Sequence, residues 1–459
     1  MCDIMVNVPE EEARVYAERT KLSRKLFEDN SKLTPFGVHS NYRFVDPYPL
    51  YVSRARGDRL WDVDGNEYLD FNMGFGVLVS GHAHPTLVSA MRDAVGEGTI
   101  YGFECEDTYT LGGILTKRFG LDMVRFSTTG LEATHHAVRI ARAHTSRKKV
   151  LKFEGCYHGS HDTLLVSIKP TADKAGDPRR PNRVPASQGV PQEVVDNTLV
   201  APFNDLEATE RIVEENSGDV AAVILEPIPM NMGFVPPKKG FLEGLRKLCD
   251  REGCVLIFDE VKTSGKFYSG AAGYFGVKPD LMVLGKAIAG GYPLSVVGGK
   301  REVMETIVPG KVSHAGTFNS NPLSVKAGVV TMSQILTEQA YSQAYRLGDE
   351  LAAGYRDSLA DHRINAYVEW IGLSGAVFFG GKKVENWRDF LKCDVGAWWT
   401  YYVAMLNRGV IPGGTGPDEQ WTISVQHTEE SVKRHLEVLD QVLAKLRESK
   451  LSMDLVEAI

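Results

Sequence analysis

The sequence predicts an α/β protein whose central sheet is covered on both faces, followed by a second α+β region. Three observations predict it. The runs KVLKFEG, VAAVILEPI, CVLIFDEV, LMVLG and LSVVGG are continuous in apolar residues rather than alternating, as strands read when helices cover both faces. Helical patterns separate them: in residues 131–143 (LEATHHAVRIARA), Ala133, Ala137, Ile140 and Ala141 share one face. The chain is also long enough for two or three domains with a large core, at 459 residues of which 43% are hydrophobic and 24% charged.

In chain order, residues 9–30 read as one charged amphipathic helix. TPFGVHSNYRFVDPYP is rich in turn formers. YVSRARGDRLWDVDGNEYLDF reads as strands joined by tight turns at Gly57-Asp58 and at Asp64-Gly65-Asn66. NMGFGVLVSGHAHP, with glycines at 74, 76 and 81, reads as a loop threading close to something. From about 86 to 330 strands and helices alternate. The stretch Lys169–Pro191 is a long loop with five prolines, and with Lys169, Lys174, Arg179, Arg180 and Arg183 against two aspartates; such loops are lids, binding loops or disordered. The chain closes on a helix from Glu429 to Arg447, with Val432, Leu436, Leu439, Leu443 and Leu446 on one stripe. The expected division is 1–75 as a segment joining a small domain, 76–330 as the large domain and 331–459 as the small domain.

Composition excludes several functions. The net charge of −7 gives no basic face for nucleic acid or a membrane surface. No run of about 18 apolar residues offers a membrane span, and the N-terminus has early acids and no apolar core of a signal peptide. The six cysteines (Cys2, Cys105, Cys156, Cys249, Cys254, Cys393) form no CxxC pair and read as free thiols of a reducing compartment, hence the cytoplasm. No strand is followed by GxGxxG with a later acid, which excludes a nicotinamide fold. His82 and His84 in GHAHP are explained by a tight Gly-Pro loop without a metal.

The chemistry gathers at strand ends, where α/β sheets place their sites. CVLIFDEV puts Asp259 at the end of one apolar strand, and LMVLGKAIAGGYP puts Lys286 just past the next, 27 residues later. Apolar surroundings lower a lysine's pKa, and attack on a carbonyl needs the neutral amine. In FSTTGLEATHH, Thr128, Thr129 and Gly130 open a helix whose free N–H groups can hold a phosphate; alone they would read as an ordinary cap. KVLKFEGCYHGSHD carries Tyr157, able to cover a flat ring, and His158 in a Gly-flanked loop. A Schiff-base lysine, a carboxylate for a pyridine nitrogen, a phosphate cup and a ring-stacking side chain together match pyridoxal 5'-phosphate.

From about Val38 to Leu446 the chain resembles the class III (subgroup II) pyridoxal-phosphate aminotransferases of fold type I, and within them it is similar to the glutamate-1-semialdehyde aminomutases. The motifs are DVDGNEYLDF, GHAHP, FEGCYHG, ILEPI, FDEV, LGKAIAGGYP and HAGTFNSNP. The resemblance implies a large domain with a mostly parallel seven-stranded sheet plus a small α+β domain. It implies that Lys286 binds the cofactor and shuttles the proton, and that Asp259 pairs with the pyridinium. Tyr157 and Val261 would flank the ring, with His158, Asn204 and Glu226 near it. Thr129, Gly130 and Leu131 would form the phosphate cup. Thr317 would reach the phosphate of a neighbouring subunit, making a homodimer obligatory. Ser40 and Arg43 in GVHSNYR would bind a substrate carboxylate, with Phe75 and Glu419 also at the substrate; by itself Arg43 could equally pair with Asp46.

Departures from the aminomutase pattern point to a sister activity. Thr-Thr-Gly-Leu-Glu-Ala replaces Asn-Ser-Gly-Thr-Glu-Ala, which removes a hydroxyl at Leu131. Lys262-Thr-Ser-Gly-Lys follows the Asp-Glu-Val. GTGPDEQWTISVQH lengthens the segment around Glu419, and no arginine lies between Arg408 and Arg434. The expectation is a ping-pong aminotransferase taking a small-molecule amino donor that carries a carboxylate and a keto acid or aldehyde acceptor. The alternative is an intramolecular aminomutase or a racemase.

Overall fold

The computed structural model describes residues 8–448. Its contacts divide the chain into two units. One comprises the described residues up to 84, with 342–383 and those from 392 onward; the other comprises 85–341 and 384–391. The division thus falls nine residues beyond the expected 75, and inside the helix Glu338–Asp361 rather than before it. The short piece 384–391 packs with the second unit, a placement that composition could not reveal.

In the first unit the expected single helix over 9–30 is two, Glu10–Arg19 and Lys21–Asn30. Thr20 leaves the helical path at φ −122°, ψ 41°, and its hydroxyl donates to the Tyr16 carbonyl at 2.6 Å. The second helix recovers its cap from a distance: Asp64, in the turn between two strands, accepts from Leu22 N at 2.7 Å and Ser23 N at 3.1 Å. A carboxylate at exposed first-turn amides stabilises a helix start. Strands Val52–Arg56, Arg59–Asp62 and Glu67–Asp70 pair antiparallel, as read from the sequence, and Val410–Ile411 lies parallel beside the last. The final helix runs Glu429–Glu448 and buries Val432, Leu439, Leu443 and Leu446.

The second unit is built on a seven-stranded sheet. Its spatial order is Met123–Ser127, Ser295–Gly299, Leu281–Leu284, Val255–Glu260, Val220–Leu225, Lys149–Phe153, Thr198–Ala201. Only Ser295–Gly299 runs antiparallel to its neighbours. Val220–Leu225, Val255–Glu260, Leu281–Leu284 and Ser295–Gly299 are buried at every position, which is why their sequences do not alternate. The strand Thr198–Ala201, only four residues long and beginning seven positions after Pro191, is too short to stand out in the sequence. The helix Gly130–Thr145 packs Ala133, Ala137, Val138, Ile140 and Ala141 against Val150, Ala222, Ile224 and Ile257. This arrangement brings the carboxyl ends of six of the seven strands to one edge.

Candidate active site

Those strand ends carry the expected chemistry. Asp259 ends Val255–Glu260 with both oxygens occupied: Oδ1 accepts from Val261 N at 3.0 Å, and Oδ2 from His158 Nδ1 at 2.8 Å. The His158 side chain is fully buried, and its Nε2 is buried with no hydrogen-bond partner. An acceptor on Nδ1 fixes the ring's orientation. Thr134 ties this loop down from the helix, donating its hydroxyl to the His158 carbonyl at 2.6 Å.

Lys286 stands two residues past Leu281–Leu284, at φ +49°. A non-glycine residue in the left-handed region is uncommon and clusters at functional positions. The preceding Gly285 is extended, and a Cβ there would lie 3.3 Å from Val261 Cγ1. Val261 presses on Gly130 as well, where a Cβ would lie 3.0 Å from its Cγ2. One valine therefore sits against both the lysine's base and the helix start, and glycine is what lets each backbone approach it.

At that helix start Thr129 forms a capping box. Its Oγ1 accepts from Glu132 N at 3.3 Å, while Glu132 Oε2 accepts from Thr128 N at 2.7 Å and Thr129 N at 3.0 Å. The next amides, of Gly130 and Leu131, have no carbonyl four residues back, so an anion at this end meets them first. Ser295 fixes the turn from the neighbouring strand, donating its hydroxyl to Thr129 O at 2.6 Å. The Thr129-x-x-Glu132 pattern was present in the sequence as a capping-box signature, although only the cap was read from it.

Glu226 follows Val220–Leu225 and is buried. It accepts from Tyr157 N at 2.9 Å and from Asn231 Nδ2 at 3.1 and 3.0 Å. Burial raises its pKa, opposed by nearby His158 and Lys262. Asn204, at φ +65°, uses its amide on backbone: Nδ2 donates to Pro236 O and Glu385 O at 3.1 and 2.9 Å, and Oδ1 accepts from Lys238 N at 2.7 Å. That makes Asn204 a brace for its loop rather than a direct ligand. Asn231 lies outside every motif quoted above, and only its contacts with Glu226 bring it to the site.

In the first unit, Arg43 and Phe75 line one cavity of about 730 Å³ whose other walls include Val38, Leu50, Tyr51 and Tyr402. Arg43 has no ion-pair partner among the described residues, so the pairing with Asp46 does not form. Ser40 is half-buried and Glu419 buried, and neither lines this cavity. Thr317 lies in an exposed stretch with Phe318, which is 60% exposed.

The residues of the second unit fit pyridoxal phosphate: a buried carboxylate held in place, an amine at a strand end, and a helix start whose glycine admits close approach. The fold and these side chains define a pyridoxal-phosphate-dependent enzyme. The family model described as "Aminotransferase class-III" matches residues 42–443, and the chain belongs to that family. It is 40% identical over 433 residues to glutamate-1-semialdehyde 2,1-aminomutase of Ignicoccus hospitalis, covering 92% of this chain and 98% of that one. Among solved structures it is similar to an omega-transaminase from Sphaerobacter thermophilus (TM-score 0.89, 33% identity, 94% and 99% covered). It is also similar to a glutamate-1-semialdehyde-aminomutase from Pseudomonas aeruginosa (TM-score 0.86, 30% identity, 97% and 98% covered). Among the described residues no helix is long and apolar enough to cross a membrane.

Proposed function

We propose that this enzyme is an aminotransferase moving an amino group from a carboxylate-bearing amine with an apolar substituent to a keto acid or aldehyde. The observation that carries this reading is the first-unit cavity: about 730 Å³, with largely apolar walls that also hold Asp29, and with the guanidinium of Arg43, which has no ion-pair partner among the described residues. A guanidinium grips a carboxylate with two parallel hydrogen bonds, and apolar walls favour an alkyl or aryl group over a short polar chain. The bound cofactor supplies the electron sink for breaking the bond at the amine carbon. Lys286 supplies the amine that holds the cofactor and moves the proton. Asp259 keeps the ring nitrogen protonated, and His158 holds Asp259 in line. Tyr157 and Val261 confine the ring, while Gly130 and Leu131 offer amides to the phosphate.

A homodimer in the cytoplasm completes the reading. Phe103 and Tyr109 are 88% and 86% exposed, and a cavity of about 600 Å³ lined by Tyr109, Arg125, His314 and Asn319 lies on the same unit. Apolar exposure of this kind marks a protein contact, and a second copy would place its Thr317 at the phosphate.

The curated relatives named aminomutases favour a second reading, glutamate-1-semialdehyde 2,1-aminomutase. One assay separates the two. With glutamate-1-semialdehyde as sole substrate, the aminotransferase forms no 5-aminolevulinate at a catalytic rate, whereas with an apolar amino acid it turns over only when a keto acid is added. Rapid conversion of glutamate-1-semialdehyde without an acceptor overturns the proposal.

A further inference from the structure

Lys152 is a fully buried charged residue that the mechanism above leaves unused. It sits inside the apolar strand Lys149–Phe153. A Leu or Met would pack there without the cost of removing an ammonium from water. Its Nζ donates to two backbone carbonyls, Cys156 at 2.9 Å and Val166 at 2.6 Å. The next residue after Cys156 is Tyr157, whose amide donates to Glu226, and then comes His158, which holds Asp259.

We infer that Lys152 is a positioning residue for the cofactor: by gripping the Cys156 carbonyl it sets the loop that aims Tyr157 at the ring and His158 at Asp259. The other anchors of this loop act on different atoms. Gly155 N donates to Ser167 O at 3.0 Å, and Thr134 holds the His158 carbonyl. None of these fixes the peptide between Cys156 and Tyr157, whose carbonyl and N–H are taken by Lys152 and Glu226.

The charge matters as well as the donors. Burial lowers the Lys152 pKa to about 8, opposed by Cys156, Glu226 and Glu154. Glu154 is itself paired with Arg388, and burial raises the Cys156 thiol far above its usual range. Loss of the Lys152 proton would take with it the compensating charge beside Glu226.

The inference rests on Tyr157 covering the ring, so Tyr157→Ala is measured in parallel. The readouts are the rate of cofactor release from the holoenzyme and the visible circular dichroism of the bound cofactor, neither of which requires turnover. Lys152→Met removes donors and charge, and release should accelerate about tenfold, the order expected for two buried carbonyls losing their donor, with an altered dichroic band. Lys152→Gln keeps an N–H pair without the charge. It should restore release to within about threefold of wild type but lack the change in the dichroic band that the inference expects of the wild type as pH rises through about 8. Should the Met variant fail to fold, the Gln variant decides alone. A folded Met variant with a lowered melting temperature but wild-type release and dichroism makes Lys152 a mere tie and overturns the inference, as does persistence of that pH-dependent change in the Gln variant. Wild-type release from Tyr157→Ala overturns the seat of the ring instead.

Discussion

Asp259 and Lys286 stood out in the sequence because one closes and the other follows a run that reads as a buried strand, and a charge at such a boundary is either at the sheet's edge or at work. Lys152 and Asn231 did not: a lysine within KVLKF reads as a strand edge until Thr198–Ala201 is seen to cover it, and Asn231 reaches Glu226 only through the folding of its own loop. Asp259 is also where one substitution has a defined expectation. Its oxygens accept from Val261 N and His158 Nδ1, so Asp259→Asn keeps the size but puts an NH2 where an acceptor is needed and removes the charge that, in the proposed role, would hold a ring nitrogen protonated. Breaking a buried charge pair costs about 3–5 kcal/mol, and a cost of that size in the barrier lowers kcat by roughly 10²–10⁴. Steady-state rates, with cofactor content measured beside them, check this; a variant within about threefold of wild type has lost nothing that Asp259 provides.

The proline-rich loop is the element whose sequence said least about its role. A long basic loop reads as a lid, a binding loop or a disordered segment, yet the fold pairs several of its charges internally. Arg179 meets Asp205 and Glu207, Arg180 meets Glu215, and Arg183 donates to Asp196 O at 3.0 Å. The piece 384–391 then pins the loop. Trp387 Nε1 donates to Pro170 O at 2.8 Å, and Arg388 donates to Ala175 O and Gly176 O at 2.6 and 2.9 Å while holding Glu154 at 2.7 and 3.0 Å. No local pattern predicts a clamp from more than 200 residues away. Arg388→Ala leaves the Glu154 carboxylate, 2% exposed, buried without its fork, and burial already raises its pKa. The expected loss is about 3–5 kcal/mol, seen as a lower melting temperature and as faster proteolytic cleavage within 169–191. Arg388→Lys should recover little, because an ammonium cannot hold a carboxylate bidentately and two carbonyls at once. Wild-type protease resistance in Arg388→Ala would show that the loop is held by its surface ion pairs instead.

For the whole molecule, the sequence carried the class of fold from the strand pattern and the family from the motifs, but the assembly was visible only through Thr317, whose role came from resemblance. The structure adds exposed aromatic surface: Phe103, Tyr109 and Phe318 all lie open on the second unit. If two copies meet there and Thr317 serves the opposite site, every active site draws its lysine from one chain and its threonine from the other. The consequence is a complementation test. Lys286→Ala and Thr317→Ala homodimers each carry the same lesion in both sites. In a mixed dimer, one site combines the mutant lysine position of one chain with the mutant threonine position of the other, and the second site draws both native residues. Equal amounts of the two variants, allowed to exchange subunits at random, should therefore regain about a quarter of the wild-type activity, since half the dimers are mixed and each has one intact site. Cofactor binding follows the same pattern, with the regained activity residing in the mixed dimer when the species are separated by a tag on one variant. Mixed dimers that form and stay inactive would show that each site is built from a single chain, leaving Thr317 on the surface without a part in the phosphate's hold.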